Sequence, residues 1–454
     1  MAEDVKVPEG WRRVRLGDLG EFKTSSVDKK IREKEIPVKL INYMDVYQHN
    51  FITKNMELME VTANRHQFIT NRVIKGDVLF TPTSETPDDI GHSAVVLDDL
   101  ENTVYSYHLI RLRFNNDNSM DIKFRGYVFN SRSILHQFEI LATGVTRFTL
   151  SKEDFKEVSV IYPESQAKQR KIAEILETID NAIEKTDGII EKYKRIKQGL
   201  MQDLLTRGIA ESDELGVMSY ELRDEKKHRF WDSPLGRIPE EWGVVKLGEV
   251  VSIISGFPFR SEDSVLTGVK WLKIANVSFN KILWDEISYL PEHFLEIYKD
   301  YSLKENDIVM ALTRPIIEKK LKIAKIKSKD IPSLLNQRVA KLDIISFDMY
   351  KNYIYYCLQY NKIINQIEYS IFGTDPPNIS ENKLKQIKIP LPPLPEQHRI
   401  ASILSQIDEA IEKEQKYKEK LERIKRGLME DLLTGKVRVL GVKNYELGVK
   451  NYEL

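Results

Sequence analysis

The sequence predicts an α+β protein in which two globular domains are joined by two long antiparallel coiled-coil helices, the whole written as an internal pseudo-two-fold repeat. Three observations lead there. Residues 169–206 and 397–434 align without a gap and are identical at 23 of 38 positions. Both stretches carry apolar residues at alternating steps of four and three, the seven-residue period of a coiled-coil seam. The segments before them correspond more weakly and mix short β-rich runs with helical ones.

Composition sets the frame. A chain of 454 residues suits two or three domains, and an apolar content of 41% supplies real cores. The 69 Lys and Arg cancel the 69 Asp and Glu, which excludes a polybasic polypeptide though not a locally basic groove. One cysteine, Cys357, excludes a disulfide scaffold and a thiolate zinc site. MAEDVKVPEG lacks the apolar stretch of a signal peptide, and no run of about 18 apolar residues occurs, so a cytoplasmic protein with no membrane partner is expected.

The elements follow in order. The first globular domain is expected over 1–163, with strands at Val78–Phe80, Ala94–Leu97, Leu109–Leu112 and Val158–Ile161 and a helical stretch at 124–141. After Pro163 the first long helix is expected over 164–207, ending near Gly208. Its predicted seam includes Ile175, Ile179, Ile189, Ile196 and Leu200. A linker is expected over 208–235 and the second globular domain over 236–392, with strands at Ile308–Met310 and Ile387–Ile389 and a helical stretch at 349–369. The Pro390–Pro395 run precedes the second long helix, expected over 393–435 with Ile403, Ile407, Leu421, Ile424 and Leu428 in its seam. Each 38-residue stretch is roughly 57 Å long at 1.5 Å per residue. A lone helix of this kind would expose its seam, so each is expected to be the other's partner. In the tail, 436–454, LGVKNYEL occurs at 440–447 and again at 447–454, echoing Leu215–Leu222. Slippage in a loose tail and packing at an equivalent place are both open readings.

Particular residues carry a family resemblance. Gly236-Arg237-Ile238-Pro239-Glu240-Glu241-Trp242 followed by Lys246-Leu247-Gly248 opens the second domain and is echoed by Pro8-Glu9-Gly10-Trp11 with Leu16-Gly17. Pro390-Leu391-Pro392-Pro393-Leu394-Pro395-Glu396-Gln397 precedes the second helix, and both helices end in Arg-Ile-Lys-x-Gly-Leu-Met-x-Asp-Leu-Leu-Thr. Over 8–435 the chain resembles the specificity (S) subunit of type I restriction–modification systems. In the first copy Pro163-Glu164-Ser165-Gln166 replaces the fuller proline run. The resemblance implies two target recognition domains, each reading one half of a bipartite site on double-stranded DNA. It implies helices that set the half-site spacing and dock two methyltransferase (M) subunits, which restriction (R) subunits join. It also implies no catalysis and no bound cofactor in this chain, with AdoMet, ATP and Mg used in partner subunits. The alternative is a coiled-coil adaptor that binds proteins only.

Enzymatic motifs are weak. Asp375-Pro376-Pro377-Asn378 looks like the D-P-P-Y motif of amino-methyltransferases but lacks the aromatic that stacks on a flipped base. No GxGxxG or GxxxxGK[ST] occurs. His66, His92, His108 and His136 show no metal-ligand spacing, and Asp88, Asp89 and Glu318-Lys319-Lys320 read as solvated charge. No catalytic or metal-ligating residue is therefore expected. Base edges and phosphates are read by amides, hydroxyls and cations on loops between apolar runs. The candidates in the first domain are Thr24, Ser25, Lys29, Lys30, Asn42, Thr81, Thr83, Ser84, Thr146 and Arg147. In the second they are Ser255, Phe259, Arg260, Ser261, Asn276, Thr313, Arg314, Gln337, Arg338, Thr374 and Asn378. Arg314 before Pro315 and Arg260 in Gly-Phe-Pro-Phe-Arg-Ser stand out, because a braced Arg suits bidentate guanine reading.

Overall fold

The computed structural model describes residues 7–116, 119–214 and 217–439. The chain divides into two units, one of Met1–Gly188 with Lys416–Leu454 and one of Ile189–Gln415. The tail repeat at 440–454 lies outside the described residues.

In the first unit the main sheet has the strand order Gly20–Thr24, Ile110–Phe114, Val78–Phe80, Ser93–Val96, Phe51–Ile52. Its neighbours are antiparallel except the last pair. The inner strands Val78–Phe80 and Ser93–Val96 are buried on both faces, and period two divides them between two cores. Val78, Phe80 and Val95 enter the core that holds Phe124, Phe129, Phe138 and Phe155, whereas Leu79, Ala94 and Val96 enter a smaller one around Ile41 and Tyr105. The second unit repeats the plan with Val251–Ser255, Val339–Ile344, Ile308–Ala311 and Ile323–Lys325, all antiparallel. Ile308, Met310 and Ile323 face one core and Val309 and Ala324 the other. Each expected helical stretch is broken in two, giving Ile122–Val128 with Arg132–Leu141 and Lys351–Cys357 with Asn361–Ile371. The linker holds two hairpins, Ile209–Glu214 with Val217–Leu222 and Phe230–Ser233 with Gly236–Pro239.

The first and last strands of each domain pair with each other. Trp11–Arg15 lies antiparallel to Ser159–Pro163, and Gly243–Lys246 to Lys388–Leu391. The closing strand therefore leads directly into a long helix, Gln166–Leu204 in one case and Leu394–Leu433 in the other. A buried glutamine sets each entry. Gln169 accepts from the backbone N–H of Asp121 and donates to the carbonyl of Pro163; Gln397, at the matching repeat position, accepts from Tyr350 and donates to Pro392 and Asp348.

Within each unit the two long helices run antiparallel. In the first, Asp187 pairs with Lys418 at 2.7 Å and Asp180 with Lys425 at 2.6 Å, seven residues back on one helix matching seven forward on the other. In the second, Lys197 pairs with Asp408 at 2.6 Å. The helix ends are apolar and sink into the domain cores: Ile172, Ala173, Leu176, Leu432 and Leu433 in the first unit, and Leu204, Leu205, Ile400, Ala401 and Leu404 in the second.

The predicted seam is half right. Leu421 is buried, and Ile179, Leu200, Ile407 and Leu428 are half-buried, as expected of seam residues. The alternate positions lie one residue off. Ile190 and Lys197 are buried beside the half-buried Ile189 and the exposed Ile196, and Ile196 and Ile424 stand 38% and 39% exposed; Leu176 and Leu404 are buried in the domain cores. Ile175, Leu200, Ile403 and Leu428 also pack against the domain cores. At Ile196 and Ile424 the adjacent Lys197 and Lys425 take the seam-side place and, like Lys418, put their ammonium groups on aspartates of the facing helix, Asp408, Asp180 and Asp187 respectively. A scan for apolar residues passes over such lysines and settles on the neighbour.

Unit two holds a buried ion pair for which the first unit has a different residue. Glu396 receives hydrogen bonds from Arg223 at both oxygens, from the indole of Trp242 at 3.0 Å and from the N–H of Ile209 at 2.6 Å. The matching residue of the first long helix is Lys168. Desolvation makes such a pair costly to break from one side. Arg223→Ala should therefore destabilise the protein by about 3 kcal/mol or more, read as a lower urea midpoint with an unchanged slope. Burial also pushes the Cys357 thiol up to about 12. It should stay unlabelled by iodoacetamide at pH 8 until the second unit unfolds, because the thiolate is the nucleophile.

Candidate nucleic-acid interface

Strand pairing brings residues distant in sequence to one end of each main sheet. In the first unit Ile110 faces both Thr24 and Phe80 across its two neighbours, so the chain leaves the strands at Thr24 and Thr81 on the same side. The loop from 143 to 149 closes on itself through Thr143 and Thr149, then pairs with Thr83–Ser84. Arg147 reaches the Thr83 hydroxyl at 3.5 Å. Thr24, Thr146 and Arg147 are exposed, and Thr83 and Ser84 half-buried. Gly144, at φ +150°, is required here, since a Cβ would meet the Arg147 carbonyl oxygen at 2.0 Å.

Other candidates in this unit have structural duties. Thr81 is fully buried and donates to the His92 carbonyl. Ser25 locks a turn, donating to Tyr105 O and accepting from Val27 N. Asn42 is half-buried at the start of the helix Tyr43–Gln48, its backbone N–H donating to Asp45. Lys29 and Lys30 are exposed, on the loop that carries the Asp28–Arg32 pair. The interface also gains residues that the loop reading missed. The Tyr43 hydroxyl donates to Thr83 O at 2.9 Å, and the Tyr107 ring lies tilted against that of His108, 3.8 Å between ring centres. Burial lowers the pKa of His108, and the cations of Lys29 and Arg147 lower it further, so both candidates lie within electrostatic reach of one imidazole. The Ser106–Leu109 turn between two apolar strands was the available signal.

The second unit has the same construction and different side chains. Ala340 faces Ser255, and Ala311 faces Val339, so Ser255, Gln337–Arg338 and Leu312–Arg314 share one sheet end. Thr313 bridges to Asn378, and the Arg314 N–H donates to Pro377 O at 2.6 Å, which adds the loop 374–378. Arg314, Gln337, Arg338, Thr374 and Asn378 are exposed. Arg314 sits at φ 46°, a left-handed conformation sparsely adopted by arginine and held here by its surroundings. Ser255 donates to Glu381 at 2.5 Å, and Thr374 donates to Ile371 O. Tyr369 and Phe372, not foreseen, stand 86% and 88% exposed at the start of this loop.

Three candidates fail here for packing reasons. Phe259 is buried in an aromatic cluster with Trp271, Phe294 and Tyr298. Asn276 is buried and ties its own loop to the carbonyls of Leu283 and Glu286. Thr313 is buried, its hydroxyl spent on Asn378. Arg260 and Ser261 are exposed, in the short 3-10 turn that follows Phe259. Among the described residues no three His, Cys, Asp or Glu side chains converge as a metal site, and no helix is long and apolar enough to cross a membrane.

Each unit thus offers an edge of hydroxyl, amide, aromatic and guanidinium groups on a rigid sheet. That chemistry suits base edges and phosphates, and it is too varied for a single small anion. Comparison with known proteins agrees. The chain matches the family described as "Type I restriction modification DNA specificity domain" at residues 8–195 and 239–423. It is 34% identical over 443 residues to the type I restriction enzyme MjaVIII specificity subunit of Methanocaldococcus jannaschii, which covers 96% of this chain and 95% of that protein. The type I restriction enzyme EcoAI specificity subunit of Escherichia coli is 34% identical over 175 residues, covering 38% of this chain and 29% of that protein. The crystal structure of a type I restriction–modification S subunit from M. genitalium has the same fold, with a TM-score of 0.54 at 15% identity over 95% of this chain and 98% of that one.

Arg314→Gly separates strain from contact. Glycine accepts the left-handed backbone, so stability should hold or rise by about 0.5–1 kcal/mol, whereas binding to cognate duplex should weaken by about 1–3 kcal/mol if the guanidinium reads a base. Thermal melting and a mobility-shift titration at one salt concentration check the two halves.

Proposed function

Since the chain belongs to the family of type I restriction–modification DNA specificity proteins, we propose that it is the DNA-reading subunit of such a complex and carries out no reaction itself. Each globular domain reads one half of a bipartite site. The antiparallel helices set the distance between halves, of the order of one helical turn or about 34 Å, and dock two M subunits. R subunits complete the nuclease. Adenine-N6 methylation and ATP-dependent cleavage belong to those partners, with AdoMet, ATP and Mg.

The observation that carries this reading is one scaffold bearing two different edges. The sheet ends correspond strand for strand, yet one presents Thr24, Thr83, Ser84 and Arg147 and the other Ser255, Arg314, Gln337 and Arg338. Divergence of the two domains and their edges, beside long helices identical at 23 of 38 positions, is what two unlike half-sites demand. Zero net charge fits a subunit that relies on partners to clamp the duplex, because phosphate neutralisation supplies most nonspecific affinity. An adaptor binding proteins only would leave the two elaborate edges without a purpose.

Co-expression with the cognate methyltransferase subunit, then sequencing of N6-methyladenine across a plasmid library, tests the reading. A single bipartite motif is expected, and exchanging residues 8–163 for those of a relative should change one half only. A stable complex that methylates no bipartite motif would overturn it.

A further inference from the structure

We propose that one carboxylate in each unit, Asp180 and Asp408, is a positioning group that locks the recognition domain onto its helix pair, and that these two locks set how strictly the complex measures half-site spacing. The inference rests on the function proposed above.

Three bodies meet at each carboxylate. In the first unit Asp180, on the first long helix, accepts from the hydroxyl of Tyr127 on the domain helix Ile122–Val128 at 3.0 Å, and from Lys425 of the second long helix at 2.6 Å. In the second unit Asp408, on the second long helix, accepts from Tyr356 on Lys351–Cys357 at 3.0 Å and from Lys197 of the first long helix at 2.6 Å. The aspartates occupy matching repeat positions, as do the lysines, and the tyrosines sit on corresponding domain helices. Tyr127 and Tyr356 are each 1% exposed, so the hydroxyls are delivered from within the domain cores. Other links from domain to helix differ between the units: Lys123 holds Glu177 in one, and Lys327 holds Glu412 in the other. Those are partly exposed rim pairs, of a class that contributes little.

Hydrophobic attraction is itself non-directional, so directional bonds at the joint add to core packing in fixing the angle between domain and helix pair. A phenol and an ammonium on one carboxylate are directional and short, and they fix it. One base-pair step is only about 3.4 Å. A domain free to rock by that much at its reading edge would accept neighbouring spacings while still reading the same bases.

The test uses the full chain co-expressed with its methyltransferase subunit, and sequencing of N6-methyladenine on a library in which the gap between half-sites varies. Tyr127→Phe with Tyr356→Phe keeps the rings and removes the hydroxyls; Asp180→Ala with Asp408→Ala severs both locks. Both pairs should leave the two half-site sequences unchanged. Methylation at gaps one base pair longer or shorter should rise relative to the wild-type gap, by about tenfold for the aspartate pair and less for the tyrosine pair. A merely structural role would lower methylation evenly and leave the gap preference as it was, and that result in the tyrosine pair, or in an aspartate pair that still assembles, overturns the inference. If the wild type shows no bipartite motif, the proposed function fails and the inference with it. A wild-type motif with variants unchanged in gap preference rejects the inference alone.

Discussion

A shared carboxylate at the junction of domain and helix pair is the interaction on which the remaining architecture depends. Asp180 and Asp408 each accept from a tyrosine and a lysine that arrive on separate elements. Burial, reinforced by the neighbouring aspartate, drives both phenols far above their usual range and keeps them as donors. Around this joint the apolar ends of the long helices complete the domain cores, so helix and domain are parts of one folding unit. The buried glutamines add a second constraint about three turns away by fixing the helix entry.

From that frame the reading edges follow. Pairing of the first and last strands closes each domain at its base, and the main sheet extends from there with its strand ends in register. The loops at those ends are braced by backbone bridges, Thr143 to Thr149 and Thr313 to Asn378, so their exposed side chains stand on rigid supports. Rigidity matters because base readout depends on hydrogen-bond geometry. The same scaffold therefore carries two unlike chemical edges without any change in how it folds.

The departures from symmetry have local causes. The buried Arg223–Glu396 pair, joined by Trp242 and Ile209, ties the internal linker to the start of the second helix. At the matching place of the first helix stands Lys168. The segment expected as a linker, 208–235, contributes to two hairpins, the second completed by Gly236–Pro239.

The sequence by itself determined the plan: a duplicated chain, two long helices of known period and length, and α+β domains whose strands show as short apolar runs. These are properties of neighbours along the chain, and periodicity records them. It also located most of the edge residues, since Arg147, Thr83, Arg314, Gln337 and Arg338 lie in polar loops that end apolar strands. Only the tertiary structure decided which polar loop residues face outward. Thr81 and Asn276 are buried and spend their side chains on carbonyls of nearby loops, Thr313 is spent on Asn378, 65 residues away, and Phe259 meets Trp271, Phe294 and Tyr298. Tyr43 reaches the edge from a helix by bonding Thr83 O, and Tyr107 and His108 reach it on the turn between two apolar strands. The seam slipped by one residue for the same reason. Lys197, Lys418 and Lys425 belong at a helix interface once an aspartate stands opposite, and that partner is supplied by a segment about two hundred residues away.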